Sequence, residues 1–126
     1  MTLTLHLHPG EYAVCRLAPD AAVPAWADGP GFSSVTRTAD ELSVICLAAR
    51  VPSDVKCERG WRLLQLAGPF DFGAVGILHS VLTPLASAGV SSLAVATFDT
   101  DYLLIKAGKL DPALAAMRAA GHAIRE

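Results

Sequence analysis

The sequence predicts an α+β fold built of two ferredoxin-like βαββαβ modules in tandem, the first incomplete, at residues 1–58 and 59–126. Three observations lead there. In the second half the hydrophobic period switches in the order strand, helix, strand, strand, helix, strand. Glycines and prolines stand where the period changes. The first half repeats the opening of that order in weaker form, and 126 residues suit one compact domain or two very small modules, without room for a third.

In the first half, the opening "MTLTLHLHPGEY" alternates leucine with threonine or histidine and predicts a terminal strand. "EYAVCRL" (residues 11–17) predicts a strand, and "APDAAVPAWA" holds at most one short helix interrupted by Pro24. "FSSVTRT" and "LSVICLA" predict a hairpin around Ala39 and Asp40. After them only "ARVPSDVKCERG" remains, too short and too polar for a second helix and a last strand. The first module is therefore expected to borrow cover from the second.

In the second half, "WRLLQL" (residues 61–66) predicts a strand ended by Gly68 and Pro69. Asp71 is the expected N-cap of a helix whose stripe is Ala74, Ile77, Leu78, Val81, Leu82 and Leu85, closed at Gly89. Pro84 falls in the last third of that helix, where it is expected to remove a backbone bond and to kink or end the helix. "SLAVATF" and "YLLIK", joined by "DTD", predict a hairpin. Asp111 and Pro112 open a second helix, Gly121 closes it, and "HAIRE" supplies the last strand.

Composition excludes several function classes. A formal net charge of −2 without a basic cluster argues against a nucleic-acid partner, because phosphate contacts need grouped Lys and Arg. Three cysteines without CxxC spacing suggest neither a disulfide framework nor a zinc site, and fit a reducing cytoplasm. The N-terminus lacks the pattern of a signal peptide. Residues 72–98 carry no charge, yet glycines, serines and a change of period at Gly89 predict a buried helix followed by a buried strand, with no membrane partner.

Few side chains are patterned for catalysis or metal. His6 and His8 share one strand face but have no third ligand at suggestive spacing. Cys15 and Cys46 read as small core hydrophobes, and Cys57 lacks a His or Asp partner. Asp99 and Asp101 are two residues apart in a hairpin turn, where Asp bonds its own backbone, so a structural role and ligand contact both stand. The stronger site joins "GPFDFGAVGI" to "TFDTD". A helix start offers N–H groups to a carboxylate, Gly73 and Gly76 admit a ligand close to the backbone, and an aspartate accepts an ammonium. Together they complement a free amino acid, with no cofactor required.

The run "LAGPFDFGAVGILHSVLTPLASAGVSSLAVATFDTDYLLIK" resembles the second ACT module of small bacterial tandem ACT-domain proteins related to the CASTOR arginine-sensor family. The shared features are a GP-x-DF turn, a G-I-L helix, L-x-x-A-G before the second strand, and a T-x-D-T-D hairpin. "YAVCRLAPDAAVPAW" and "FSSVTRTADELSVIC" resemble the first module more loosely. The resemblance implies a non-catalytic amino-acid sensor, a homodimer, with ligand at a module or subunit interface. By motif it implies ligand contacts at Asp71, Phe72, Gly73, Ala74, Val75, Gly76, Ile77, Thr97, Phe98, Asp99 and Asp101, with Asp101 taking the cationic end. The absence of any acid between Phe72 and Phe98 argues against arginine as that ligand. Two other classes stay open: a ligand-free assembly module acting on a protein partner, and a small enzyme, for which His79 is the visible base.

Overall fold

The computed structural model describes residues 1–126. Its elements are β1 (Thr4–Leu7), β2 (Tyr12–Leu17), β3 (Ser34–Arg37), β4 (Leu42–Leu47), β5 (Cys57–Leu66), α1 (Ile77–Ser87), β6 (Leu93–Ala96), β7 (Asp101–Lys106), α2 (Leu110–Ala119) and β8 (Ala123–Arg125). Three 3-10 turns lie at Ala25–Ala27, Ala48–Arg50 and Ala107–Lys109. The chain forms two compact units, one of Gly10–Trp61 and one of Met1–Pro9 with Arg62–Glu126. A division at residue 58 puts the N-terminal strand in the first module, whereas in the structure β1 belongs with the second half.

Within Gly10–Trp61 the strands run in the order β3-β4-β2-β5, each neighbouring pair antiparallel. This is the strand order of a βαββαβ module, with a 3-10 turn at each helix position. The expected short helix around Pro24 is the turn Ala25–Ala27. The last strand, which the sequence shows only as polar residues, is the start of β5. Its pattern is hidden because residues 58 and 59 are charged and exposed and only Cys57 packs inward.

A missing helix leaves loop carbonyls to be satisfied by other donors. Arginines supply them: Arg50 Nε donates to Trp26 O at 3.1 Å, Arg37 to the carbonyls of Pro19 and Ala21, and Arg59 to Ala48 O and Val51 O at 3.0 Å each. The planar guanidinium suits this work, since one side chain spans two carbonyls. Beneath lies a core of Ala13, Cys15, Leu42, Val44, Cys46 and Val51. Tyr12 faces Trp61 while Val14 faces Glu58, so β5 carries one extra residue opposite β2. Gly60, at φ +83° with open space where a Cβ would sit, is the residue that allows this bulge.

The unit of Met1–Pro9 and Arg62–Glu126 has the strand order β6-β7-β5-β1-β8. It departs from a simple ferredoxin-like order because β1 is inserted between β5 and β8, antiparallel to the first and parallel to the second. The N-terminal strand is thus interior to the sheet. Leu3, Leu5 and Leu7 point into the core with Leu64, Leu66, Val81, Leu85, Leu103, Ile105 and Met117. The alternate residues His6 and His8 share the other face, rings 4.6 Å apart, and His8 Nε2 pairs with Gln65 Oε1 at 2.8 Å.

Both helices end as their glycines predict. Val90 N–H reaches Leu85 O and Gly89 N–H reaches Ala86 O; His122 N–H reaches Met117 O and Gly121 N–H reaches Arg118 O. Each is the paired bond pattern of a Schellman ending. Pro84 does not end α1, which continues to Ser87, but it has no N–H to give the carbonyl of Ser80. That carbonyl accepts instead from His122 Nε2 at 2.8 Å, while His122 Nδ1 accepts the N–H of Leu3 at 3.1 Å. The two bonds set the tautomer: Nδ1 is the acceptor, so Nε2 carries the proton. His122 is only 4% exposed and ties β1, α1 and the end of α2 together.

Two predictions follow from these cores. His122→Ala leaves a buried N–H and a buried carbonyl unpaired and opens a cavity, and is expected to cost about 2–4 kcal/mol in urea unfolding. A cost under about 0.5 kcal/mol would contradict the bridging role. The second concerns Cys15, whose thiol burial pushes from its ordinary 9.0 up to about 12, with Cys57 and Cys46 adding to the effect. The folded state keeps that thiol protonated where the unfolded chain releases the proton. Its contribution to stability is therefore full below pH 9.0 and is lost as pH rises towards about 12. Urea midpoints compared between pH roughly 8 and 10.5 should fall, and fall less in Cys15→Ala.

Candidate functional site

The site is built by a loop and a hairpin tip in the unit containing α1. β5 ends at Leu66, and the chain turns through Gly68 and Pro69, joined by a cis peptide bond, into Phe70. Phe70 N–H donates to Asp99 O at 2.8 Å, which fastens the turn to the tip of the β6–β7 hairpin. Thr100, 8% exposed, donates its hydroxyl to Leu66 O at 2.7 Å. The tip itself closes on Thr97, whose N–H and hydroxyl both donate to Thr100 O at 2.9 Å. Phe98 and Asp99 are left at the apex.

Between tip and loop lies a cavity of about 220 Å³. That is below the ~300–1,000 Å³ typical of sites for drug-sized ligands, and so suits a small molecule. The residues expected to bind ligand divide cleanly. Asp71, Phe72, Ala74 and Ile77 from the loop and helix start, and Thr97, Phe98, Asp99 and Asp101 from the hairpin, line the cavity. Gly73, Val75 and Gly76 lie in the same loop but do not line it. Phe70, Ala96 and Thr100 line it as well, outside the set that the motif implies. Their signal was indirect: Phe70 follows the Gly-Pro turn, and Thr100 sits between the two aspartates.

The helix start differs from expectation. Asp71 does not cap α1, which begins six residues later at Ile77 with Gly76 as N-cap at φ +82°. Residues 71–76 form an exposed loop, in which Asp71 O accepts Ala74 N–H at 2.9 Å. A glycine at the cap position brings the left-handed backbone that turns this loop into the helix, and it offers no side-chain oxygen. The first N–H groups of α1 therefore have no side-chain cap, beside a cavity that Ile77 lines.

Charge on the cavity wall has one sign. Asp71, Asp99 and Asp101 contribute three carboxylates, and no Lys, Arg or His lines it. Asp99 is exposed at the apex, whereas Asp101 opens β7, opposite Ala96, and is half-buried. Aromatic rings form the rim: Phe72 and Phe98 meet edge to face, centroids 4.9 Å apart at 81°. They are 75% and 79% exposed, and Val75 nearby is 87% exposed. His79, the base that an enzyme would need, is on the exposed side of α1, paired with Thr83 at 3.3 Å, and does not line the cavity. No group of three or more His, Cys, Asp or Glu side chains is placed to hold a metal ion. No helix is long and apolar enough to cross a membrane.

Thr100→Val removes the hydroxyl that holds the tip to β5 and leaves Leu66 O unpaired. It is expected to cost about 1–3 kcal/mol. The loss should appear as faster hydrogen exchange at the Phe70 amide; unchanged exchange there would show that the tip is held by other contacts.

Comparison with known proteins agrees with this architecture. The ACT domain model matches residues 56–119, and a separate N-terminal-domain model matches residues 10–54. The bovine (Bos taurus) cytosolic arginine sensor for mTORC1 subunit 1 is 31% identical over 94 residues, 64% of this chain and 29% of that protein, so the chain spans under a third of the curated relative. A crystal structure of a protein from Agrobacterium tumefaciens is 42% identical and superposes with a TM-score of 0.94, over 98% of this chain and 92% of that one. The regulatory subunit of aspartate kinase from Thermus flavus shares the fold, with a TM-score of 0.66 at 10% identity over 96% and 99% of the two chains. With its ferredoxin-like unit and a matching family model over half its length, the chain belongs to the ACT domain family and is related to the CASTOR sensors.

Proposed function

We propose that this protein is a non-catalytic sensor that binds a free amino acid in the cavity between the α1 start and the β6–β7 hairpin. The observation that carries the proposal is the convergence of three carboxylates and an uncapped helix start on one small cavity. Asp101 takes the ligand's ammonium or cationic side chain in a charge-assisted bond. The N–H groups opening α1 take its carboxylate, favoured by the partial positive charge of a helix start. Asp99 chiefly shapes the hairpin.

The charge balance also bears on which amino acid is bound. The sequence argued against arginine because residues 72–98 hold no acid. In the folded chain that span is flanked by Asp71 on one side and Asp99 and Asp101 on the other, and all three line the cavity. Three acids with no neighbouring base favour a ligand of net positive charge, and the rim rings of Phe72 and Phe98 suit a cation as well. Arginine, named in the description of the bovine relative, is the first candidate.

The exposed rim supports a homodimer in which a second copy covers the cavity. Phe72, Val75 and Phe98 together form an apolar patch larger than isolated surface residues would make. The same patch favours the second reading, a ligand-free assembly module that presents it to a protein partner. We take the two units as two ACT-like modules, with Gly10–Trp61 the degenerate one, acting in the cytoplasm, where the three cysteines remain free.

Thermal-shift measurements with each common amino acid separate these readings. Arginine or lysine is expected to raise the Tm of the wild type by several degrees at saturating concentration, and Asp101→Ala to abolish the rise. Stabilisation only by neutral amino acids would overturn the charge assignment but keep the sensor. No shift with any amino acid at millimolar concentration would favour the assembly reading.

A further inference from the structure

All three cysteines of the chain lie in the Gly10–Trp61 unit, on one face of its sheet. Cys15 and Cys46 belong to the core cluster, and Cys57 packs against that cluster from the first position of β5. Cys15 and Cys57 are direct cross-strand partners in the antiparallel β2–β5 pair. The neighbouring pair is the hydrogen-bonded one, since Arg16 N–H donates to Lys56 O at 2.9 Å. Cys15 and Cys57 therefore occupy the non-hydrogen-bonded position, where opposite Cα atoms approach to about 4.5 Å and side chains stand closest. That separation falls inside the ~4.4–6.8 Å window a disulfide requires.

The exposures of the pair are unequal. Cys15 is 1% exposed, while Cys57 is partly open to solvent. Cys46 is fully buried and lies opposite Ala13, one pair further along β2 on the same face. Of the three, only Cys57 offers a diffusing oxidant an approach, and its direct neighbour is Cys15.

We infer that Cys57 and Cys15 form a peroxide-sensitive pair, Cys57 reacting first and Cys15 resolving it into an intrachain disulfide across β2 and β5. In the first step the Cys57 sulfur attacks an oxygen of hydrogen peroxide. An S–O bond forms, the O–O bond breaks, and the released hydroxide leaves as water with the thiol proton, giving a sulfenic acid. In the second, the Cys15 sulfur attacks the Cys57 sulfur. The S–S bond forms, the S–O bond breaks, and hydroxide departs with the Cys15 proton as a second water. The thiols give up two electrons and the peroxide is reduced. The bond joins the last strand of the unit to the strand beside it, across the bulged β2–β5 ladder, and closes the loop between residues 15 and 57.

The test uses the full chain, reduced and then exposed to hydrogen peroxide, alkylated and mapped by mass spectrometry without reductant. The expected product is lighter by two hydrogen atoms, contains a linked peptide with Cys15 and Cys57, and reverts with dithiothreitol. Cys46→Ala should keep the link. Cys15→Ala should lose it and leave Cys57 trappable by dimedone as a sulfenic acid. Because Cys15→Ala alters the core, Cys57→Ser, at a partly exposed position, serves as the second variant and should show no link and no adduct on Cys15. A link through Cys46, a disulfide between two chains through Cys57, or oxidation of Cys57 to sulfinic acid without any link would each overturn the proposal.

Discussion

The imidazole of His122 holds together the unit that carries the cavity. Its two nitrogens are both committed, one accepting the N–H of Leu3 and the other donating to Ser80 O. The second bond exists because Pro84 withholds the N–H that a helix would normally supply to that carbonyl. A proline that would weaken an isolated helix thereby creates the acceptor that docks it. The same ring fixes the start of β1 beside β8, where Ala123 N–H also reaches Leu3 O at 2.9 Å. With β1 seated, Leu5 and Leu7 complete the core under α1 and α2. The helix start and hairpin that flank the cavity are mounted on that core.

The cavity combines a rigid floor with an unsatisfied rim. Its floor is set by short bonds among Thr97, Thr100, Leu66, Phe70 and Asp99, of which the buried Thr100–Leu66 bond ties the hairpin tip to β5. Its rim leaves groups that invite a partner: carboxylates without cations, a helix start without a cap, and aromatic rings mostly open to water. Such an arrangement is costly for an isolated chain, because like charges gather and apolar surface stays wet. A small cationic zwitterion and a covering subunit would relieve both costs.

The Gly10–Trp61 unit holds a four-stranded sheet together without an α-helix. The strands keep a ferredoxin-like order, 3-10 turns join them where helices would stand, and arginines bond the carbonyls of those connections. A charged, arginine-bearing loop segment gives no helical period, which is why the sequence displays this half as an incomplete copy.

Much of the architecture was legible in the chain itself. Period changes, glycine helix ends and the hairpin around Asp99 are local features, governed by backbone preference and by which residues must be buried, so a single segment suffices to display them. The motif of the second half pointed to the ACT family, and most of the residues it picked out do line one cavity. What depended on distant partners was not legible. The insertion of β1 between β5 and β8, the strand identity of polar residues 57–60 and the role of His122 arise from pairings between segments far apart in sequence. The sequence by itself determined the module order, the turns and the chemical types at the site. Only tertiary structure decided that Asp71, Asp99 and Asp101 share one cavity, because it is the folding of the loop back onto the hairpin tip that brings them to the same wall.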